Sequence, residues 1–384
     1  MSAAGPYARS GSSRRVHSGR TTRIAIDAMG GDNAPGVNID GAIMAVRSIE
    51  DIEIVLVGDE ATIRKEFARR SFSHPSVIIE HAGEVVRMDE SPSVALRKKR
   101  NSSMHVGITM VRDKQVDAFI SAGNTGAVMA IAAVILRTLE GIDRAAIAVQ
   151  LPTVKGHTVL LDAGANVTCK AAHLYQFGIM GSIYAQYALG DVRPTVGILS
   201  IGEEETKGND VTREAFELLA KSDLNFIGNV EAKLLYKGVS DVVVCDGFTG
   251  NIALKISESL AEMISTFLRG MFATNWRTKL GYMLVKPFLA AMKKRVDHAE
   301  VGGAPLLGID GAVFISHGSS EPRAIRNGIY AAKRFVTGDV NGHIRECLAQ
   351  NLHILDPKAL ESGGKPGFFE RMKNKMGLGG REGD

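Results

Sequence analysis

The sequence predicts an α/β protein: a mainly parallel sheet with helices on both faces, from which a helical hairpin protrudes. Three observations predict it. Strand-like apolar runs end repeatedly in short glycine-rich loops. Strand and helix patterns alternate from residue 23 to residue 350. The alternation breaks once, over 251–296.

IAIDAMGGDN (24–33) is the first run, and its loop offers Gly30, Gly31, Asp32 and Asn33. IEIVLVGDE (52–60) is a short apolar run closed by turn residues, and ITMVRDK (108–114) has helical spacing. FISAGNTG (119–126) ends in Gly123, Asn124, Thr125 and Gly126. The apolar stretch that follows, AVMAIAAVIL (127–136), is too short to cross a bilayer and reads as a buried helix. LLDAGAN (160–166) contributes Asn166. ILSIGEEETKGN (198–209) carries Lys207 and precedes VTREAFELLA (211–220), a helix for which Asp210 is the expected N-cap. VVVCDGFTGN (242–251) brings Gly250 and Asn251. FISHGSS (314–320) replaces the asparagine with His317, Ser319 and Ser320, either serine being able to cap a helix that begins near Glu321 and Pro322.

Each loop leaves the carboxyl end of a strand, where open parallel sheets bind ligands. Glycine lets the backbone come close to a ligand, and asparagine adds a neutral donor and acceptor. A strand, a glycine loop and a helix start form an anion site from free N–H groups and the helix dipole. Loops of this kind at one sheet edge suit a small oxyanion and a polarised carbonyl.

The charged chemistry is sparse. Lys207 can bind an anion or polarise an oxygen, or it can belong to a solvated cluster with Glu203, Glu204 and Glu205. His317 can pass a proton or donate to a phosphate, or it can be structural. Cys245 is a thiol beside Asp246 with no neighbouring histidine, a poor setting for a nucleophile. Asp27, Asp32, Asp162 and Asp246 have no diagnostic cation-ligand spacing. A dinucleotide fingerprint, a Walker lysine loop and a G-x-S-x-G elbow are all missing from the sequence.

Composition bounds the rest. Hydrophobic residues make up 45% and charged residues 23%, which places the chain among ordinary globular proteins. A formal net charge of +4 gives no nucleic-acid signature. Cys169, Cys245 and Cys347 show neither metal spacing nor a disulfide framework and fit a reducing cytosol. Residues 1–22 form a basic, Ser- and Gly-containing extension expected to be disordered, and 351–384 a flexible polar tail. The α/β unit between them spans 23–350, with a basic amphipathic hairpin at about 252–296.

Within that hairpin Ile252, Ile256, Leu260, Met263, Ile264, Phe267 and Met271 make one helical stripe. No acid occurs between Glu262 and Asp297, whereas Arg269, Arg277, Lys279, Lys286, Lys293, Lys294 and Arg295 do. Apolar tips flanked by cations suit an anionic membrane. A dimer core with solvated charges explains the same pattern.

Taken in order, IAIDAMGGDNAPG, SAGNTGA, LLDAGANV, SIGEEETKGN, DGFTGNIALK and GGAPLLGIDGAVFISHGSS resemble the bacterial phosphate acyltransferase family of phospholipid synthesis, from about residue 23 to about 345. The resemblance implies transfer of a long-chain acyl group from acyl-[acyl carrier protein] to inorganic phosphate, giving acyl phosphate. It implies a homodimer without metal or organic cofactor, in a fold related to phosphotransacetylases and the isocitrate dehydrogenase group. It further implies a cytosolic protein in peripheral contact with the membrane, where the product passes to a glycerol-3-phosphate acyltransferase. By position the family's important lysine and asparagine are Lys207 and Asn251. His298 and Val301 depart from its pattern in DHAEVGGAP (297–305), where aromatic residues are expected. Two rivals are a phosphotransacetylase acting on acyl-CoA and a non-catalytic module that binds carrier protein or lipid surface.

Overall fold

The computed structural model describes residues 20–296, 302–351 and 354. The first half runs β1 (Thr22–Asp27), α1 (Gly36–Ser48), β2 (Ile52–Gly58), α2 (Glu60–Arg69), β3 (Val77–His81), α3 (Pro92–Lys98), α4 (Ser103–Arg112), β4 (Ala118–Ser121) and α5 (Thr125–Ile135). The second runs β5 (Ala146–Thr153), β6 (Gly156–Leu161), α6 (Ala171–Tyr184), β7 (Thr195–Ser200), α7 (Asp210–Ala220), β8 (Asn225–Glu231) and β9 (Val242–Val244). Then come α8 (Gly247–Ala273), α9 (Trp276–Val296), β10 (Ala304–Leu307), β11 (Ala312–Ile315), α10 (Pro322–Thr337) and α11 (Val340–Gln350). Outside the described residues lie 1–19 of the N-terminal extension, the tail from 355, His298 and Val301, and the side chains of Lys293, Lys294 and Arg295.

The strands form one sheet in the order β3-β2-β1-β4-β11-β10-β5-β6-β9-β7-β8. Two parallel blocks compose it, β3-β2-β1-β4-β11 on one side and β6-β9-β7-β8 on the other. Between them β10 is antiparallel to both β11 and β5, and β5 is antiparallel to β6. Three reversals leave the second block pointing opposite to the first. The sheet is therefore mainly parallel, as the apolar runs predict, with its direction inverted at the centre.

That inversion positions the site. Ser121 is level with Ile315, and Ile315 with Ala304. On the far side Val149 is level with Leu160, and Leu160 with Val243. Since Leu306 faces Ile147, the antiparallel count places Ala304 level with Val149. The carboxyl ends of the two blocks thus approach one row from opposite directions. They face one another across β10 and β5, instead of sharing a single edge.

Alternation along the strands covers both faces. Ile24, Ile26, Ile54 and Leu56 join the core under α1, α6 and α10, while Ala25, Val55 and Val57 join the core with α4 and α5. AVMAIAAVIL forms most of α5, with Ala127, Val128, Ile131 and Ala132 buried. Helix α7 starts one residue earlier than the sequence suggests. Its N-cap is Asn209, which accepts from the Thr212 N–H, and Asp210 is the first helical residue. Neither Ser319 nor Ser320 caps α10: the N-cap is Glu321, with Pro322 opening the helix.

Helices α8 and α9 pack on each other, with the Phe272 and Tyr282 rings 5.2 Å apart. All seven residues of the apolar stripe on α8 are exposed in the single chain. Among the described residues no helix is long and apolar enough to cross a membrane.

Candidate active site

Two buried aspartates organise the loops of the two blocks. Asp27, at the end of β1, accepts from the Ser121 hydroxyl at 2.7 Å and the Met29 N–H at 3.1 Å. Asn38 ties down the same loop by donating to the carbonyls of Asp27, Ala28 and Gly30. Gly30 is required there, because a Cβ would overlap the Asp27 carboxylate. The Asp32 N–H donates to the Gly318 carbonyl at 2.9 Å, joining the loops after β1 and β11.

Asp162, just past β6, does the same for the second block. It accepts from the N–H groups of Ile147, Gly164, Ala165 and Asn166 and from the Asn166 amide. The Gly247 N–H donates to the Asn166 carbonyl at 2.7 Å, and a Cβ on Gly250 would overlap the Asp162 carbonyl. The first turn of α8 therefore sits directly on the LLDAGAN loop. Burial pushes the carboxyls of Asp27 and Asp162 up, and these hydrogen bonds oppose the shift. Asp246 caps α8 through the Thr249 N–H. These three carboxylates are thus engaged by N–H and O–H donors. Among the described residues no group of three His, Cys, Asp or Glu is placed to hold a metal.

The loops enclose a cavity of about 470 Å³ between the blocks. Thr125, Asn251, Ser316, His317 and Ser319 line its polar side. Three helix starts meet there: Thr125 opens α5, Asn251 lies in the first turns of α8, and Glu321 precedes α10. Oriented N–H groups and three dipole ends favour an anion here without a cluster of cations, with the Glu321 carboxylate beside them. Ile147, Val149, Ala163, Leu254 and Ile315 add apolar lining. At the rim Lys255 pairs with Glu258 at 2.8 Å.

The asparagines of the loops separate by hydrogen bonding. The Asn124 side chain accepts from the Ala127 N–H as the cap of α5 and donates to the carbonyls of Arg87, Met88 and Glu90. Asn166 donates to Asp162 and the Ala145 carbonyl. The Asn251 side chain has no such tether among the described residues and lines the cavity. His317 Nδ1 lies 2.8 Å from the Ser319 hydroxyl and receives the Ser319 N–H at 3.3 Å, so the neutral ring carries its proton on Nε2.

Of the sequence candidates, Thr125, Asn251, His317 and Ser319 line the cavity. Gly30, Gly31, Asp32, Asn33, Gly123, Asn124, Gly126, Asn166 and Gly250 stand outside its lining and build the loops around it. Lys207 is also outside the lining, exposed on the loop after β7. Its ammonium makes no ion pair among the described residues; Glu203 and Glu231 pair with Lys233 instead. Cys245 is buried with its thiol pushed far up by desolvation, and Cys169 is raised to about 11 by the same cause. Neither provides a thiolate at neutral pH.

Ser316 and Gln150 are among the lining residues that escape the sequence reading. Ser316 is 5% exposed, and its hydroxyl has no hydrogen-bond partner among the described residues. Gln150, which interrupts the apolar run Ala146–Leu151 of β5, also lines the cavity. A lone amide in such a run is the signal that marks it.

A family model described as "Fatty acid synthesis protein" matches residues 22–343. The chain is 51% identical over 321 residues to the phosphate acyltransferase of Syntrophotalea carbinolica, covering 84% of this chain and 92% of that one. It is 47% identical over 340 residues to the phosphate acyltransferase of Trichlorobacter lovleyi, covering 88% and 98%. The chain belongs to the phosphate acyltransferase family. As a member of this family it is an acyltransferase, an enzyme of lipid synthesis. Among solved structures, a phosphotransacetylase from Streptococcus pyogenes superposes with a TM-score of 0.55 at 18% identity, over 82% of this chain and 94% of that one. The chain shares the fold of that protein.

Proposed function

We propose that the enzyme transfers a fatty acyl group from an acyl-[acyl carrier protein] thioester to inorganic phosphate, in the cavity between the two sheet blocks. The convergence of three helix N-termini, neutral polar side chains and apolar lining in one cavity carries this reading. Phosphate is already a nucleophile at neutral pH. Neutral amides, hydroxyls and N–H groups hold it without quenching its attack as paired arginines would.

A phosphate oxygen attacks the thioester carbonyl, forming the C–O bond as the carbonyl electrons move to oxygen. Asn251 Nδ2 donates to that oxyanion. Collapse breaks the C–S bond and expels the thiolate. The proton lost from hydrogen phosphate balances the one gained by sulfur: His317 Nε2–H donates to the leaving sulfur, and Nδ1 regains a proton from phosphate through the Ser319 hydroxyl. No acyl-enzyme forms. Lys207 enters as the cation of the neighbouring loop, approaching substrate from outside the lining set.

The exposed apolar stripe of α8, followed by the basic α9, supports a homodimer contact and peripheral membrane association in the cytosol. The deciding experiment incubates the purified chain with labelled phosphate and either palmitoyl-carrier protein or acetyl-CoA. Palmitoyl phosphate formed with the carrier donor supports the proposal. Turnover with acetyl-CoA alone would make the enzyme a phosphotransacetylase, and carrier binding without turnover would leave a binding module.

A further inference from the structure

Gln150 lines two cavities. Beyond the reaction cavity it borders a second one of about 130 Å³, shared with Tyr184, Asn327, Tyr330, Ala331 and Arg334. The two cavities adjoin where β10 begins: Ala304 is level with Val149, and among the described residues no strand pairs with β5 on that side from Gln150 onward.

Helix α10 connects the two spaces. Ala324 faces the reaction cavity, whereas Asn327, Ala331 and Arg334 face the second. Their spacing of three, four and three residues keeps all four on one helix face. From Ala324 to Arg334 the helix rises about 15 Å. The walls of the second cavity mix polar groups with the apolar side chains of Ala188, Leu189 and Ala331. Gln150 Nε2 donates to the Tyr184 hydroxyl at 3.1 Å, and burial pushes that phenol up to about 12, so it remains an O–H donor. The Arg334 guanidinium lies over the Tyr330 ring at 5.9 Å and has no carboxylate partner among the described residues.

We propose that this groove holds the pantetheine arm of the acyl donor, its phosphate at Arg334 and its thioester beside Asn251. The assignment rests on the acyl-transfer reading above. The arm is a slender chain of about four residue-equivalents with two amides, and extended it spans roughly 14 Å. That length matches the rise along α10, and Gln150 offers an amide to those of the arm. A guanidinium with no carboxylate partner among the described residues is suited to the phosphate oxygens. Carrier protein and coenzyme A present the same group, so the chemistry is shared by both donors.

Binding of 4′-phosphopantetheine and of pantetheine to the full chain is measured by calorimetry, for wild type, R334Q and R334K. The groove predicts that R334Q weakens phosphopantetheine binding by about tenfold or more and leaves pantetheine unchanged, with R334K in between. In turnover, R334Q should raise KM for acyl-phosphopantetheine at nearly constant kcat and leave KM for acyl-pantetheine unaltered. Acyl-carrier and acyl-CoA run in parallel tell which source the groove serves. Equal losses with both ligands, no loss with either, or no wild-type binding of phosphopantetheine overturns the proposal. Binding that obeys the prediction without any acyl phosphate formed would overturn the reaction and leave the groove standing.

Discussion

At the residue scale, the distinction among Asn124, Asn166 and Asn251 carries most of the chemistry. The three look alike in sequence, each in a glycine loop after an apolar run. Hydrogen bonding separates them, because Asn124 and Asn166 hold backbone in place while Asn251 faces the cavity. Asn251→Ala should lower kcat by on the order of 10²-fold, the usual loss for an oxyanion donor. Asn124→Ala should instead lower the melting temperature, because it removes a helix cap worth about 1 kcal/mol and frees the 87–90 loop. Steady-state rates and thermal scans of both variants check this; a wild-type rate for Asn251→Ala removes it from the mechanism. Sequence alone could not separate these amides, since a side chain's partners are set by which distant loops arrive beside it.

At the element scale, strand positions and glycine loops were legible because their signals are local: apolar runs, turn residues and caps. The inversion at β10 and β5 was not. Apolar periodicity carries no strand direction, and a buried antiparallel pair reads like a parallel one. The same junction shows a pH-dependent contact. His157, on the β5–β6 hairpin, lies 3.0 Å from Asp191 beyond α6, and this hydrogen bond holds its pKa above 6.5 against the effect of burial. A histidine raised on folding adds stability that is complete below its unfolded pKa of about 6.5 and fades as pH rises through the folded value. Melting temperature should therefore fall less steeply above pH 6.5 in Asp191→Asn than in wild type. Parallel curves across that window would remove the pair from the pH response.

At the scale of the whole molecule, the sequence marked the hairpin as amphipathic and basic, and the single chain leaves the α8 stripe exposed. Ile256, Phe267 and Met271 are each more than 60% exposed, a poor arrangement for a helix alone in water. Ile256→Asp with Phe267→Asp should shift the protein toward monomer in light scattering. Loss of liposome sedimentation without a change in mass would assign the stripe to lipid instead, and no change in either would dismiss both. The family was legible throughout because its loops are contiguous in sequence. Gln150, Ser316 and Arg334 were not, because the fold assembles them from β5, the end of β11 and α10.

The central claim is that phosphate is held by neutral groups where the two sheet blocks meet. A crystal soaked with tungstate, a heavy tetrahedral anion, tests it most directly through anomalous scattering. The predicted peak lies in the cavity, within hydrogen-bond distance of Asn251 and of at least one of Thr125, Ser316 and Ser319. A single peak at Lys207, with the cavity empty, would contradict the account.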